Sequence, residues 1–243
     1  MNIYRIRPIA TCGGLRDTSQ WTYCLNAGIK SDLSCYAWYI EGSQPKVLVD
    51  TGARASAFAN KPLPSTDLIP VEVGLGKLGL APEDIEIVIL THLHFDHVAL
   101  GHLYKKARFI VQKKELHYAR NPHPLDAIHY DKNAFDRLNL EVIDDDKQII
   151  PGVSVFLTPG HTPGGQSVEI NVATGKAIIT GFCCTMATFT RTEEMKQRGW
   201  EVAAPGLHQD AQEAYDSVLK VKRRADIILP LHDPMFIAKE AIP

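Results

Sequence analysis

Short apolar runs separated by turn residues dominate the chain. They are rich in β-branched and aromatic residues, have the length of strands, and end at glycine, proline or polar residues. The pattern predicts eight strands, at residues 35–40, 46–49, 85–90, 108–111, 153–157, 167–171, 177–180 and 227–229.

Three further segments, 70–78, 113–119 and 210–222, have apolar residues at helical spacing. Strands outnumber helices, and two strand-rich halves flank a stretch without strand character. No repeat or flexible linker interrupts the sequence. We therefore predict a single α+β domain over 1–243, with two packed sheets, outer helices and a helical insertion near 112–140.

Composition and charge narrow the partners. The net charge of −2 gives no basic field for phosphates, which argues against nucleic acid and favours a small-molecule substrate. The first 25 residues contain no continuous apolar stretch, so we expect no membrane segment and a cytoplasmic location. The five cysteines lack paired-ligand spacing, and we expect reduced thiols. Apolar residues expected to be exposed near the N-terminus, Trp21 and Leu33, would permit a homodimer.

A polar cluster, Thr91 to His97, directly follows the predicted strand at 85–90. His92 and His94 alternate with Leu93, so in extended geometry their imidazoles project to the same side. Asp96 and His97 follow after a change of direction. Surface histidines, or core histidines bonded to the backbone, are the alternative interpretation. Because so many crowded polar groups are costly to bury without compensation, the cluster favours one or two bound cations.

Two distant histidines also follow predicted strands. His161 lies in the Gly- and Pro-rich turn 158–164, and His232 follows the strand at 227–229. Each alone would fit a structural turn histidine. Together with the first cluster, both become candidate ligands.

The run His92-x-His94-x-Asp96-His97, with His161 and His232 downstream and Asp50-Thr51-Gly52 upstream, resembles the metallo-β-lactamase superfamily. Within it, the chain is most similar to the N-acyl homoserine lactone lactonases. The resemblance implies an αββα sandwich. It also implies that His92, His94 and His161 bind one ion, that Asp96, His97 and His232 bind a second, and that Asp50 orients ligands from behind. A simple turn-forming role for Asp50 is the alternative.

One position departs from the family pattern. Relatives carry an aspartate that bridges the two ions where this chain has Phe182. A phenyl ring cannot ligate, so we expect a weaker second site. Cys183, favoured slightly over Cys184, would replace the lost donor as a thiolate. The alternative is that both cysteines are small buried fillers.

The predicted function is a metal-dependent hydrolase that uses a metal-bound hydroxide to open a cyclic ester. The expected cofactor is zinc, one or two ions per chain, with manganese, iron or cobalt as alternatives. Asp96 would act catalytically by holding the water or moving a proton. A tyrosine that relatives place just beyond the bridging aspartate is absent here, so a different lactone or a cyclic amide is an equally good candidate substrate. Thioester or cyclic amide hydrolysis, a mono-iron redox enzyme and a degenerate binding protein are the alternatives.

The stretch around 118–130 would shape a substrate entrance. We expect its neighbouring histidines, His117, His123 and His129, to be exposed.

Overall fold

Two β-sheets form the centre of the computed structural model, which describes residues 2–59, 61 and 63–243. The first sheet contains β1 (Arg5–Asp17), β2 (Lys30–Glu41), β3 (Val47–Val49), β4 (Thr66–Asp67), β5 (Ile87–Ile89), β6 (Arg108–Gln112) and β7 (Leu140–Ile143). The second contains β8 (Lys147–Ile150), β9 (Val153–Leu157), β10 (Gln166–Val172), β11 (Gly175–Ile179) and β12 (Ile227–Leu229). Their strand orders are β4-β1-β2-β3-β5-β6-β7 and β12-β11-β10-β9-β8.

Helices connect these strands and cover the outer faces of the sheets. They are α1 (Val71–Gly76), α2 (Phe95–Val98), α3 (Lys113–Arg120), α4 (Lys132–Phe135), α5 (Met186–Phe189), α6 (Glu193–Gln197) and α7 (Ala211–Arg224). The longest, α7, begins where the Asp210 carboxylate accepts hydrogen bonds from the amides of Gln212 and Glu213, which satisfies donors that a helix start leaves free. Across the described residues, no helix combines the length and apolar character needed to cross a membrane.

The strand residues alternate between two hydrophobic layers. In β3, Val47 and Val49 belong to the core between the sheets, while Leu48 packs under the outer helices. The second sheet does the same, with Ile179 inward and Ile178 outward beneath α7. This period of two follows from the pleat of a strand. The layers are therefore helix, sheet, sheet, helix, and the predicted αββα sandwich is confirmed.

Each predicted strand overlaps an observed strand, and the three predicted helices match α1, α3 and α7. The pattern missed β1, β4, β7 and β8. A register shift between Ala10 and Cys12 interrupts β1, and Gly13 and Gly14 follow it, which breaks the apolar alternation. The stretch 112–140 contains α3 and α4, and its description as an insertion stays a prediction.

The expected exposure of two N-terminal residues was wrong. Trp21 is 1% exposed and Leu33 is 7% exposed, because both pack in a cluster with Phe58 and Phe95. The argument that they would support a homodimer therefore fails, and the homodimer itself stays a prediction.

The direction of the strands brings the polar loops together. β3 and β5 are parallel neighbours, so Asp50 and Thr91 emerge side by side at their carboxyl ends. In the second sheet, β11 and β12 are parallel, and β9 runs the same way because it is antiparallel to β10. The loops that carry His161 and His232 therefore leave the same edge of that sheet. Polar sites form readily at such edges.

Candidate metal centre

The loop after β5 is fixed by Asp50, which is fully buried. Its Oδ1 accepts a hydrogen bond from the Thr91 amide at 2.8 Å. Its Oδ2 accepts from the Thr91 hydroxyl and from His97 Nδ1, each at 2.8 Å. α2 then begins at Phe95 and places Asp96 and His97 in its first turn. Asp50 thus lies behind the cluster, where the sequence placed it, although its orienting role stays a prediction.

The hydrogen bonds of the histidines define which ring nitrogen is free. The Thr91 hydroxyl gives its hydrogen to Asp50, so it accepts from His92 Nδ1 at 3.0 Å. His161 Nδ1 donates to the Leu207 carbonyl at 2.6 Å, and His232 Nδ1 donates to the Ser34 carbonyl at 3.1 Å. In each ring the Nδ1 carries the hydrogen. The Nε2 lone pairs are therefore available as ligands.

The first donor group consists of His92, His94 and His161. One nitrogen from each ring lies within 4.8 Å of the other two. The ring centroids of His92 and His94 are 4.6 Å apart, and that of His161 is 4.8 to 4.9 Å from both. Three imidazoles converging in this way form one face of a tetrahedral zinc site.

The second donor group consists of Cys35, Asp96 and His232, again within 4.8 Å of one another. Asp96 Oδ2 lies 3.8 Å from His232 Nε2 and 3.4 Å from His97 Nε2. Cys35 comes from the middle of β2 and has no motif around it. The sequence therefore gave no signal for it beyond its position in a buried strand.

Burial and local charge set the protonation of these groups. Burial lowers the pKa of His92 and His94 well below the usual value, lowers that of His161 to about 3 and lowers that of His232 to about 4. The imidazoles are therefore neutral, as metal ligands must be.

Asp96 and His97 behave as a charged pair. Burial raises the pKa of Asp96, but His97, His232 and His94 together outweigh burial and hold it well below its usual range. For His97, burial lowers the pKa, whereas the charges of Asp96 and Asp50 raise it to about 10. Without a bound ion, a proton on His97 supplies the positive charge at this position.

Unpartnered atoms test whether the site fits a metal ion. In the described part of the chain, His92 Nε2 and His97 Nε2 are buried side-chain atoms without a hydrogen-bond partner. Buried polar atoms are rarely left unpaired. Both face the cluster, because their Nδ1 atoms point outward to Thr91 and Asp50. These residues therefore fit divalent cations.

Phe182 packs away from the donors. Its side chain is 1% exposed and belongs to the outer cluster with Phe156 and Phe189 beneath α7. Cys184 lies in the same cluster, whereas Cys183 borders the metal pocket. The family's bridging position is thus apolar here. Whether Cys183 ligates an ion stays a prediction.

Glu115 ties the two loops of the first donor group together. This buried carboxylate accepts hydrogen bonds from the Leu93 amide at 2.9 Å and the Gly164 amide at 3.2 Å. A Cβ on Gly164 would lie 2.2 Å from the Glu115 amide nitrogen, so only glycine permits this approach. The spacing between His94 and His161 is therefore supported from behind.

A cavity of about 50 Å³ lies over the donors. All six predicted ligands border it, together with Cys183: His92, His94, Asp96, His97, His161 and His232. Arg16 and His129 are among the other residues that border it, and His129 belongs to the stretch predicted to shape a substrate entrance. Arg16 is buried, and His129 lies with its ring 5.0 Å from that of His94. The expectation that His129 is exposed was wrong, because the 127–129 turn folds it against the first donor group; His117 and His123 are exposed.

A larger groove, of about 1040 Å³, lies beyond Phe95, which borders both cavities. Its rim includes Arg54, Lys61, Lys105 and Arg137. Among the residues that the structure describes, neither group of three converging donors lies there. The metal chemistry is therefore assigned to the smaller cavity.

Known proteins share this fold at 26% to 28% sequence identity. An N-acyl homoserine lactonase, AiiA, of Bacillus thuringiensis subsp. kurstaki is 28% identical over 93% of this chain and 91% of its own. A solved quorum-quenching N-acyl homoserine lactone lactonase has a TM-score of 0.78 and 26% identity, covering 100% of this chain and 99% of its own. A solved N-acyl homoserine lactone hydrolase with the product N-hexanoyl-L-homoserine at its catalytic metal centre has a TM-score of 0.74 and 26% identity, covering 96% and 95%.

The sequence profile of the metallo-beta-lactamase superfamily matches residues 31–232. The matched segment begins in β2 and ends at His232, so it contains the complete set of converging donors. The resemblance inferred from the sequence is therefore confirmed. The chain belongs to the metallo-beta-lactamase superfamily.

Proposed function

We propose that this protein is a metal-dependent hydrolase that opens a cyclic ester. The observation that carries the proposal is a pair of donor groups, each with its ligand atoms within 4.8 Å of one another, whose histidines and Asp96 border one pocket. The relatives support the substrate class, because both solved relatives act on N-acyl homoserine lactones and one holds the opened product at its metal centre.

His92, His94 and His161, the first donor group, hold one ion. Asp96 and His232 of the second donor group, together with the adjacent His97, hold the second, and His97 gives up its proton when that ion binds. Imidazoles with one carboxylate suit zinc, which is the cofactor we propose, although manganese, iron and cobalt accept similar donors. Asp50 orients His97 through its 2.8 Å hydrogen bond, as outer partners of metal ligands commonly do.

A divalent ion held by these residues supplies a nucleophilic water at neutral pH and polarises the substrate carbonyl. Asp96 is the group placed to move protons. Its side chain is 15% exposed, whereas those of its neighbours His97 and His232 are 2% and 3% exposed. A substrate in the pocket therefore meets this carboxylate. We assign Asp96 the role of holding the attacking water and passing its proton to the leaving oxygen.

The substrate's reacting end fits the pocket better than its whole body does. A cavity of about 50 Å³ holds only a few water molecules, so it receives a small ring rather than an acyl chain. The tyrosine that the family resemblance places near the substrate carbonyl is absent from the stretch Phe182 to Thr185, and the Thr185 hydroxyl caps α5. His129 borders the pocket with its ring 5.0 Å from that of His94, so we assign it contact with the substrate in place of the tyrosine.

A substrate panel tests the proposal. Metal-reconstituted protein is assayed with N-acyl homoserine lactones of several chain lengths, other lactones, cyclic amides and thioesters, beside His94→Ala and a control, His102→Ala. His102 is exposed, lies outside the metal pocket and hydrogen-bonds to the Ala99 carbonyl. We expect lactone hydrolysis that His94→Ala removes and His102→Ala preserves. Preference for thioesters or amides would replace the substrate class, and redox-active iron at one per chain without hydrolysis would overturn the proposal.

A further inference from the structure

We propose that the thiolate of Cys35 is a ligand of the second ion, in place of the bridging aspartate that relatives carry at the position of Phe182. The inference rests on the proposed metal centre and adds to it a donor from β2, a strand that carries none of the family's motif residues.

The distances fit a shared ion. Cys35 Sγ lies 3.8 Å from Asp96 Oδ2. A tetrahedral ion with bonds of about 2.3 Å to sulfur and about 2.1 Å to oxygen separates those two atoms by about 3.6 Å. His232 Nε2 is also 3.8 Å from Asp96 Oδ2, and its nitrogen and the sulfur complete a group within 4.8 Å. The two distances to Asp96 Oδ2 thus lie within a few tenths of an ångström of what a shared ion requires.

The backbone holds Cys35 against this group. Ser34 accepts a hydrogen bond from His232 Nδ1 at 3.1 Å, and its amide donates to the His232 carbonyl at 3.1 Å. Leu33 borders the metal pocket, and residues two apart on a strand point to the same face. Cys35 therefore lies on the same face of β2 as Leu33, beneath the residues that border the pocket. Ser34, the residue before Cys35, is thus hydrogen-bonded directly to His232, a proposed metal ligand.

The two donor groups contain few anionic ligands for two divalent ions. With Phe182 at the bridging position, Asp96 is the one carboxylate in the two donor groups. On binding an ion, the Cys35 thiol would give up the hydrogen that it now directs at Asp96, and that proton would leave to solvent. Arg16 stands nearby, and within the described residues it pairs with no carboxylate; its hydrogen bonds go to three carbonyl groups and the Ser65 hydroxyl. The hydrogen bond with Cys12, burial and the charge of Asp96 raise the pKa of the Cys35 thiol well above its usual value, and Arg16 opposes them only in part. The thiolate therefore forms when an ion binds and replaces the proton.

Two other cysteines provide matched comparisons. Cys183 borders the pocket, yet among the described residues it belongs to neither group of three donors within 4.8 Å. Cys12 is a free, fully buried cysteine on β1 that lies opposite Cys35 in the register of β1 and β2. If Cys35 were only an apolar filler of the cluster it shares with Cys12, substitution of either cysteine would leave the metal environment unchanged.

Cobalt provides the test. Metal-depleted protein is titrated anaerobically with Co(II) in a non-thiol reductant, and a thiolate bound to Co(II) gives a near-ultraviolet charge-transfer band. Wild type, Cys35→Ser, Cys183→Ser and Cys12→Ser are compared, with bound cobalt measured by elemental analysis. Circular dichroism checks that each variant folds, and the conservative Cys35→Ser substitution keeps the size of the side chain.

We expect the band in wild type, Cys183→Ser and Cys12→Ser, and its loss in folded Cys35→Ser together with at least a tenfold weaker second cobalt. A band that persists in Cys35→Ser and disappears in Cys183→Ser would overturn the inference and assign the thiolate to Cys183. Two bound cobalt ions without any band would overturn the inference but leave the proposed function standing. Failure of wild type to bind cobalt or zinc at all would overturn both.

Discussion

The two donor groups are built on opposite principles. The first consists of three buried imidazoles that are neutral before any ion binds, and Glu115 braces their loops. The second combines a carboxylate, an imidazole and a thiol, with a protonated His97 beside them. The first group is therefore preorganised for a cation, whereas the second must release protons before it can bind one. We expect the first ion to bind tightly and the second more weakly than in relatives that keep the bridging aspartate.

The largest effect is expected from removing an imidazole of the first group. His94→Ala leaves two of its three donors, so the first ion is lost, and the second cannot act alone on the substrate. Lactone hydrolysis should fall by more than the roughly 100-fold that loss of an outer partner costs. Elemental analysis and a hydrolysis assay measure this, with His102→Ala as the control. Unchanged activity in folded His94→Ala would contradict the role of the first group.

Next in size is Asp96→Asn, which preserves shape and removes charge from the second group only. We expect zinc content to fall from two ions towards one, with the first ion retained, because no carboxylate then remains in either donor group. Hydrolysis should also fall because the proposed proton carrier is lost. Isothermal titration with zinc separates the two sites. Two equally tight sites in this variant would mean that Asp96 is not a ligand.

A smaller effect is expected from Asp50→Asn, which acts on both groups from behind. It weakens the hydrogen bonds that Asp50 accepts from His97 and Thr91. Metal affinity or activity should fall by roughly 10- to 100-fold. The exposed Asp136→Asn, which removes a surface pair with Arg120, serves as the control. An effect confined to folding stability, with normal zinc affinity, would reduce Asp50 to a turn-forming residue.

The smallest effect is expected from Glu115, whose hydrogen bonds hold the two loops of the first donor group together. Burial raises the pKa of Glu115 above its usual value of 4.5, despite hydrogen bonds from the Leu93 and Gly164 amides. Because the folded state then favours the protonated form, this contribution to stability is present below pH 4.5 and is lost as the pH rises through the folded pKa.

Urea unfolding of metal-depleted wild type and Glu115→Gln measures the contribution of Glu115 to the free energy of unfolding at each pH. Between pH 4.5 and 7 the free energy of unfolding should decline more in wild type, by at most about 1.4 kcal/mol per pH unit. Parallel pH profiles in the two proteins would show that Glu115 keeps an ordinary pKa.

The residues that the sequence revealed lie where periodicity changes. The apolar strand that ends at Leu90 gives way to the histidine run, and the same contrast marks His161 and His232. This pattern made them candidate ligands, and the family resemblance assigned them to the two ions. Cys35 lacks such a contrast, because it lies inside a buried strand 61 residues before Asp96. Tertiary packing of β2 against α2 and the His232 loop brings Cys35 close to Asp96 and His232. Contacts between residues so far apart in the sequence leave no local pattern.

Irregular strands and strands at the edge of a sheet could not be predicted from the sequence either. β7 and β8 are short and partly exposed, with Glu141 and Lys147 pairing at their surface, so their apolar alternation is weak. The packing of Phe182 away from the donors could not be predicted either. The sequence shows the loss of a ligand, but only the outer cluster under α7 shows where the ring goes.

Metal removal and restoration test the central claim most directly. Wild-type protein is assayed for lactone opening as isolated, after chelation, and after zinc is added back, with zinc content measured at each step. We predict that activity disappears with the metal and returns with it, in proportion to occupancy of the first site. Full activity in protein shown to contain no metal would contradict the account.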